Sequence, residues 1–367
     1  MASKRILLSV TNDLVTDHRV HKTADCLTAL GYEVCLIGRR LRNSPELDRR
    51  YATKRMRLCF NKHAWFYAEY NLRLFFYLLF ARYDGLWAND TDSLPANFLA
   101  SRLRRKPLVF DAHELFPEVP ELTRRPFVKK CWTKIEDWIF PRLKHACTVC
   151  GSIADYYRQR YGLQMEVLRN IPEPRDYSRV TPAFNASRPV MIYQGAVNIG
   201  RGIEECMEFL LHNDMVELLV VGEGDLYGQL CQQAAESLAS ERIHFVGRIP
   251  IEQLPAYTRS ADIGLVLMHN RGLNYYYSLP NRLFDFIWSG TPILAIDFPE
   301  IRQIVTRYQI GVLIPDLSEE SIQKGVEQLL AHPIPPENFD QARRDLNWAD
   351  ESQAIRRLAG AAYGLPG

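Results

Sequence analysis

No apolar run in this sequence is long enough to cross a bilayer. The longest, residues 72–80, contains Arg73 and falls far short of the roughly 20 apolar residues that a spanning helix needs. No signal peptide precedes the first strand-like run, residues 6–10, and the eight cysteines are scattered, mostly within apolar segments. A disulfide framework is thereby excluded and a reducing cytoplasm expected. Cys147 and Cys150 form a lone CxxC without a second pair, and read as buried thiols. His18 and His21 are neither four residues apart nor accompanied by cysteines, so no metal is expected. Charge of one sign is not in excess, the net being +2, and 47% apolar with 24% charged residues excludes disordered, collagen-like and coiled-coil chains.

What is present suits two domains, because 367 residues are long for one and comfortable for two. The small net charge hides an asymmetry: residues 1–180 hold 31 Lys/Arg against 20 Asp/Glu, leaving 14 against 23 for the remainder. A basic first half calls for an anionic partner, phospholipid headgroups or a phosphorylated acceptor. Nucleic acid fits the sign alone, but no nucleic-acid-binding module accompanies the charge and none is expected as a partner.

The first half alternates β-like and helical patterns. A strand at 5–10, a helix at 17–30 with Val20, Thr23, Ala24, Leu27 and Leu30 on one face, and a strand at 32–37 form a βαβ opening, with Gly31 ending the helix. Further strands are predicted at 85–88, 108–111, 146–150 and 165–168. Residues 170–189, with Pro172, Pro174, Pro182 and Pro189, break the rhythm as a linker does. Then come strands at 190–194, 216–221, 243–246, 263–267, 293–296 and 312–314 with helices between. The expected class is α/β, two Rossmann-like doubly wound domains facing a central cleft: residues 1–170, a linker at 171–189, residues 190–350, and a final helix within 351–367 reaching back to the first domain.

Two stretches of the second domain suit phosphate chemistry. Residues 195–202 run Gly-Ala-Val-Asn-Ile-Gly-Arg-Gly between a strand and a helix starting at Ile203, and Gly195 and Gly202 let backbone amides approach a phosphate while Arg201 adds a bidentate cation. An ordinary turn with a surface arginine is the competing reading. In residues 278–290, Ser278 or Leu279 is expected to cap a helix, Pro280 to start it and Gly290 to end it. Its first turn holds no acid, so an anion can approach, and Asp285 lies one turn after Asn281 on the same face.

This second stretch resembles the donor-binding signature of the family-four retaining glycosyltransferases, whose fold is called GT-B; the surface-polysaccharide enzymes of bacteria are the members it is most similar to. The resemblance implies a nucleotide diphosphate sugar as donor substrate, no cofactor, no metal, and transfer to a lipid-linked or polysaccharide acceptor with retention of configuration. In the family a glutamate holding the donor sugar precedes by eight positions another holding the ribose. Here Asp285 takes the second place and Tyr277 the first, so a carboxylate is missing. Ser278, Leu279, Asn281 and Arg282 belong to the same motif. Gly195, Arg201 and Gly202 resemble the phosphate loop, with Ala196 where a basic residue is frequent. Gly222, Gly247 and Arg248 resemble the segments that meet the nucleotide base.

In the first domain His113 follows an apolar strand and resembles the family's active-site histidine, placed to hydrogen-bond the transferred sugar or orient the acceptor; a loop-capping histidine is the alternative. The resemblance also assigns Asn12, Asp13 and Arg19 to the acceptor side, where Glu114 is placed too; Glu114 and Glu118, four residues apart, are acid/base candidates, with solvated carboxylates as the alternative. Residues 60–67 and 127–140 interleave aromatics with cations. These read either as faces for a membrane interface, with Arg124, Arg125, Lys129 and Lys130 outermost, or as a core stripe of Val128, Cys131, Trp132, Ile135, Trp138 and Ile139. Peripheral association with the inner face of the cytoplasmic membrane follows from the first reading. Two other functions remain open: a sugar-nucleotide-binding pseudoenzyme or partner subunit, suggested by Tyr277 and Ala196, and a sugar-nucleotide 2-epimerase of the same fold.

Overall fold

The computed structural model describes residues 3–15, 17–119, 122, 125–174 and 177–365. The chain divides into two compact units, one formed by Met1–Asn170 with Ala349–Gly367, the other by Ile171–Trp348.

The first unit is a seven-stranded parallel sheet. Its strands are β1 (Arg5–Ser9), β2 (Glu33–Arg40), β3 (Ala52–Arg57), β4 (Gly85–Asn89), β5 (Leu108–Ala112), β6 (His145–Thr148) and β7 (Glu166–Val167), in the order β3-β2-β1-β4-β5-β6-β7. β4 and β5 are buried throughout, as strands covered on both faces must be. The helix His18–Ala29 starts where the Asp17 carboxylate accepts the Val20 N–H, and Val20, Ala24 and Leu27 bury its inner face. β3 was not expected from the sequence: Ala-Thr-Lys-Arg-Met-Arg has no apolar alternation, because it is an exposed edge strand defended by charge.

The helix Trp348–Tyr363 belongs to this unit. The Tyr363 hydroxyl donates to the Leu86 carbonyl at 2.5 Å, and Arg357 and Glu351 pair with Glu166 and Arg169. Gly85 makes room for the Tyr363 ring, since a Cβ there would stand 2.3 Å from it.

The second unit is a six-stranded parallel sheet of β8 (Val190–Gln194), β9 (Glu217–Val221), β10 (Ile243–Gly247), β11 (Ile263–Val266), β12 (Ile293–Ile296) and β13 (Gly311–Ile314), ordered β10-β9-β8-β11-β12-β13. Apolar residues on both faces, among them Leu219, Val266 and Phe286 on one and Leu218, Leu265 and Phe209 on the other, make two core layers. In both units the strand order reverses beside the first strand, between β1 and β4 and between β8 and β11. Ligands of doubly wound sheets bind outside the carboxyl ends of the strands at such points.

Candidate functional site

The glycine-rich loop 195–202 leaves the carboxyl end of β8 at the switch point of the second unit. Gly195 N–H donates to Val221 O at 3.0 Å and Gly222 N–H to Gly247 O at 2.9 Å, so the ends of β8, β9 and β10 are stitched together by three residues of the sequence motif. Gly222 has φ +141°, and a Cβ there would lie 1.9 Å from Gly195 O; only glycine fits. Gly202, at φ +76°, precedes the helix Ile203–His212 and packs against Leu267.

Two arginines converge on this loop. The Arg201 guanidinium lies 4.9 Å from the Tyr275 ring centre, and that of Arg282 lies 4.8 Å from Tyr193 while donating to the carbonyls of Leu265 and Leu267 at 3.0 and 3.2 Å. Arg282 is buried; burial pulls its pKa below the ordinary value, and the neighbouring Arg201 charge adds to this. Neither arginine forms an ion pair with any described residue. Arg282 is thus a buried cation without a paired anion, which is costly, and Arg201, half-buried, lies beside it in the glycine loop.

The helix carrying Arg282 spans Asn281–Ser289 and ends at Gly290 in the left-handed conformation, as expected. Its start differs from the sequence expectation. Pro280 occupies the cap position in extended conformation with no side-chain cap, because Ser278 Oγ donates backward to Tyr275 O at 2.8 Å. No acid stands in the first turn of the helix, which favours a nearby anion through the helix dipole, and the Leu283 N–H is taken by Pro280 O at 3.0 Å. Asp285 accepts from Gln194 Nε2 at 2.9 Å, and Gln194 is fixed in turn by Thr258 Oγ1. Leu279 is half-buried against the core, Asn281 is exposed, and Tyr277 closes the short helix Leu273–Tyr276.

A cavity of about 680 Å³ adjoins the loop, lined among others by Gly195, Gly222, Glu223, Tyr227, Arg248 and Leu254. Gly247 and Arg248 thus fall beside Gly222. Tyr193, Gln194 and Tyr275, which orient the charged groups, were missed from the sequence; a tyrosine or glutamine at a strand end has no pattern that separates it from core.

The second cluster lies at the switch point of the first unit. His113 Nδ1 stands 3.1 Å from Asp90 Oδ2, whose other oxygen accepts the His113 N–H at 2.8 Å. Asp90 does this from a left-handed backbone, φ +60°, which Asp tolerates better than most residues. His113 Nε2 is 3.6 Å from Asp111 Oδ2 and hydrogen-bonds to no described residue. Burial opposes charge on His113, but Asp90 and Asp111 outweigh it and hold its pKa well above the usual value. Burial likewise pushes Asp111 up, yet Arg19 and His113 prevail and hold it well below the carboxylate range.

Arg19 is 4% exposed and pairs with Asp111 at 2.6 Å, so it supports the carboxylate under His113. Asn12 donates to Asp17 at 2.7 Å, and Asp13 accepts from Ser44 Oγ at 3.0 Å; both shape the loop after β1. A cavity of about 780 Å³ in this unit is lined by Asp90, Asp92 and Glu114 on a polar side and by Phe116, Val128 and Trp132 on an apolar one. Glu118 pairs with Lys129 at 2.7 Å.

On the helix Pro126–Ile139 the buried residues are Trp132, Glu136 and Ile139. Val128 and Ile135 are half-buried, whereas Phe127, Cys131 and Trp138 are exposed. The expected core stripe is therefore narrower than predicted, because the helix buries Trp132 against Phe116 and Tyr67 along one edge. Arg124 lies outside the described residues.

Residues 17–179 match the family profile described as "Glycosyltransferase Family 4", and residues 175–346 the one described as "Glycosyl transferases group 1". Among curated relatives, a phosphatidyl-myo-inositol mannosyltransferase of Mycobacterium leprae is 27% identical over 169 residues, 43% of this chain and 39% of that protein. Matches to the first such relatives span between 39% and 50% of their length. Among solved structures, sucrose-phosphate synthase from Thermosynechococcus elongatus superposes with a TM-score of 0.74 at 18% identity, covering 98% of this chain and 100% of that one. Anabaena HepE in complex with UDP-glucose gives 0.68 at 13% identity, covering 98% and 100%. At these identities the structural likeness establishes the fold, two Rossmann-like domains.

Proposed function

The chain belongs to the family-four glycosyltransferases of GT-B fold, and from that premise we propose that it moves a sugar from a nucleotide diphosphate donor to a lipid-linked or polysaccharide acceptor, retaining the anomeric configuration. The observation that carries the reading is the pair Arg201 and Arg282, each stacked on a tyrosine and without an ion-pair partner among the described residues. A sugar diphosphate supplies the missing anion, and Anabaena HepE, of the same fold, was crystallised with UDP-glucose.

In transfer, the bond between the anomeric carbon and the diphosphate oxygen breaks with negative charge growing on the leaving group, the acceptor hydroxyl oxygen bonds to that carbon on the same face, and its proton passes to the departing diphosphate. Arg201 and Arg282 stabilise that charge from fixed positions. Asp285, oriented by Gln194, accepts the ribose hydroxyls. His113, cationic between Asp90 and Asp111, orients the acceptor. Asn12, Asp13 and Glu114 lie on the acceptor side. Donor sugar contacts come from Tyr277 and its neighbours, where the family has a carboxylate.

Replacing Arg201 with Ala is expected to lower transfer at saturating donor at least tenfold, about 1.4 kcal/mol. An unchanged rate would remove the diphosphate grip from this loop.

A further inference from the structure

The cavity beside Gly195 and Gly222 holds two charged side chains that the phosphate grip leaves unused. Glu223 and Arg248 both line it, and neither side chain hydrogen-bonds or pairs with any described residue. Glu223 stands against Gly247: a Cβ built on that glycine would lie 3.2 Å from Tyr227 Oη and 3.9 Å from Glu223 Oε1. A carboxylate oxygen and a phenol thus converge over the strand end, and the next residue in the chain supplies the guanidinium.

Such a pair sets demands on a planar ligand. A carboxylate accepts hydrogen bonds only and a guanidinium donates only. Guanine offers two adjacent donors, N1–H and the N2 amino group, for the first, and the acceptors O6 and N7 for the second; arginine to O6 and N7 is the commonest specific contact to this base. Uracil offers a single N3–H flanked by two carbonyl oxygens that repel a carboxylate. Adenine places its amino group next to the acceptor N1, so it gives a carboxylate one bond and one repulsion. Selectivity arises as much from those repulsions as from the bonds to guanine.

We propose that the donor base is guanine, read by Glu223 and Arg248, so that the substrate is a guanosine diphosphate sugar. This rests on the donor site assigned above. Titration calorimetry of the full chain with GDP, UDP and ADP tests it. GDP is expected to bind at least tenfold more tightly than UDP or ADP, and Glu223→Gln to weaken GDP at least tenfold while leaving UDP within twofold. Glu223 is exposed, so the substitution does not threaten folding. UDP binding as tightly as GDP, or equal losses for both in the variant, overturns the assignment of guanine and leaves the donor site standing. Failure of all three nucleotides to bind overturns the donor site itself.

Discussion

At the scale of single residues, the first unit buries ionisable groups beyond the His113 cluster. Glu136 is 1% exposed, with Thr91 Oγ1 at 3.2 Å from one of its oxygens. Burial pushes its pKa up to about 8, against 4.5 ordinarily, with Thr91 pulling the other way. The folded protein therefore binds a proton here that the unfolded chain releases between those values, and stability falls as pH rises through that window. Burial and the neighbouring Asp90 raise Asp92 as well, and His113 is raised too, so both add to the same slope. Glu136→Gln is expected to flatten it, making the variant more stable than the parent at pH 8.5 by more than about 1 kcal/mol. Urea unfolding at pH 5.5 and 8.5 checks this; equal slopes in the two proteins would place the titration elsewhere.

Among elements, the helix Trp348–Tyr363 has the largest structural role for its place in the chain. Its last residue is buried against Gly85 and bonded to Leu86, both in a central strand of the first sheet. Truncating a buried aromatic costs about 3–5 kcal/mol, so Tyr363→Ala is expected to reduce hydrogen-exchange protection in β1 and β4 and leave β8 and β11 unchanged. Loss of protection in both sheets alike would mean that the helix serves the second unit as well. The elements also show where sequence reading works. Strands β8 and β12 were legible to the residue because apolar runs are bounded by glycine, proline or charge. β3 was not, since Lys54, Arg55 and Arg57 mark an edge ordered by its pairing with β2. The start of the helix Asn281–Ser289 was misplaced for a related reason: whether a serine caps forward or bonds backward to Tyr275 depends on tertiary context.

Over the whole molecule, the basic first half acquires a definite surface. The helix His63–Phe80 exposes Leu72, Phe76 and Phe80 at one-face spacing, and Leu72 and Phe76 line a groove with Lys54, Arg55, Arg57 and Arg73. No helix of the described residues is long and apolar enough to cross a membrane; an apolar stripe beside cations instead suits the interface of an anionic bilayer. Flotation with vesicles containing phosphatidylglycerol is expected, weaker on neutral vesicles, and lost when Leu72, Phe76 and Phe80 are all changed to Ser. Equal flotation of parent and triple variant would locate the contact elsewhere. The sequence by itself determined the two doubly wound sheets and the glycine turns that leave their strands, because periodicity and turn chemistry are local. Only the tertiary structure decided that Arg19 lies buried under Asp111, that Tyr193 and Tyr275 carry the two arginines, and that Gln194 aims Asp285. Those roles belong to residues brought together from distant points of the chain, and burial, which sets their charge, is a property of the packed fold.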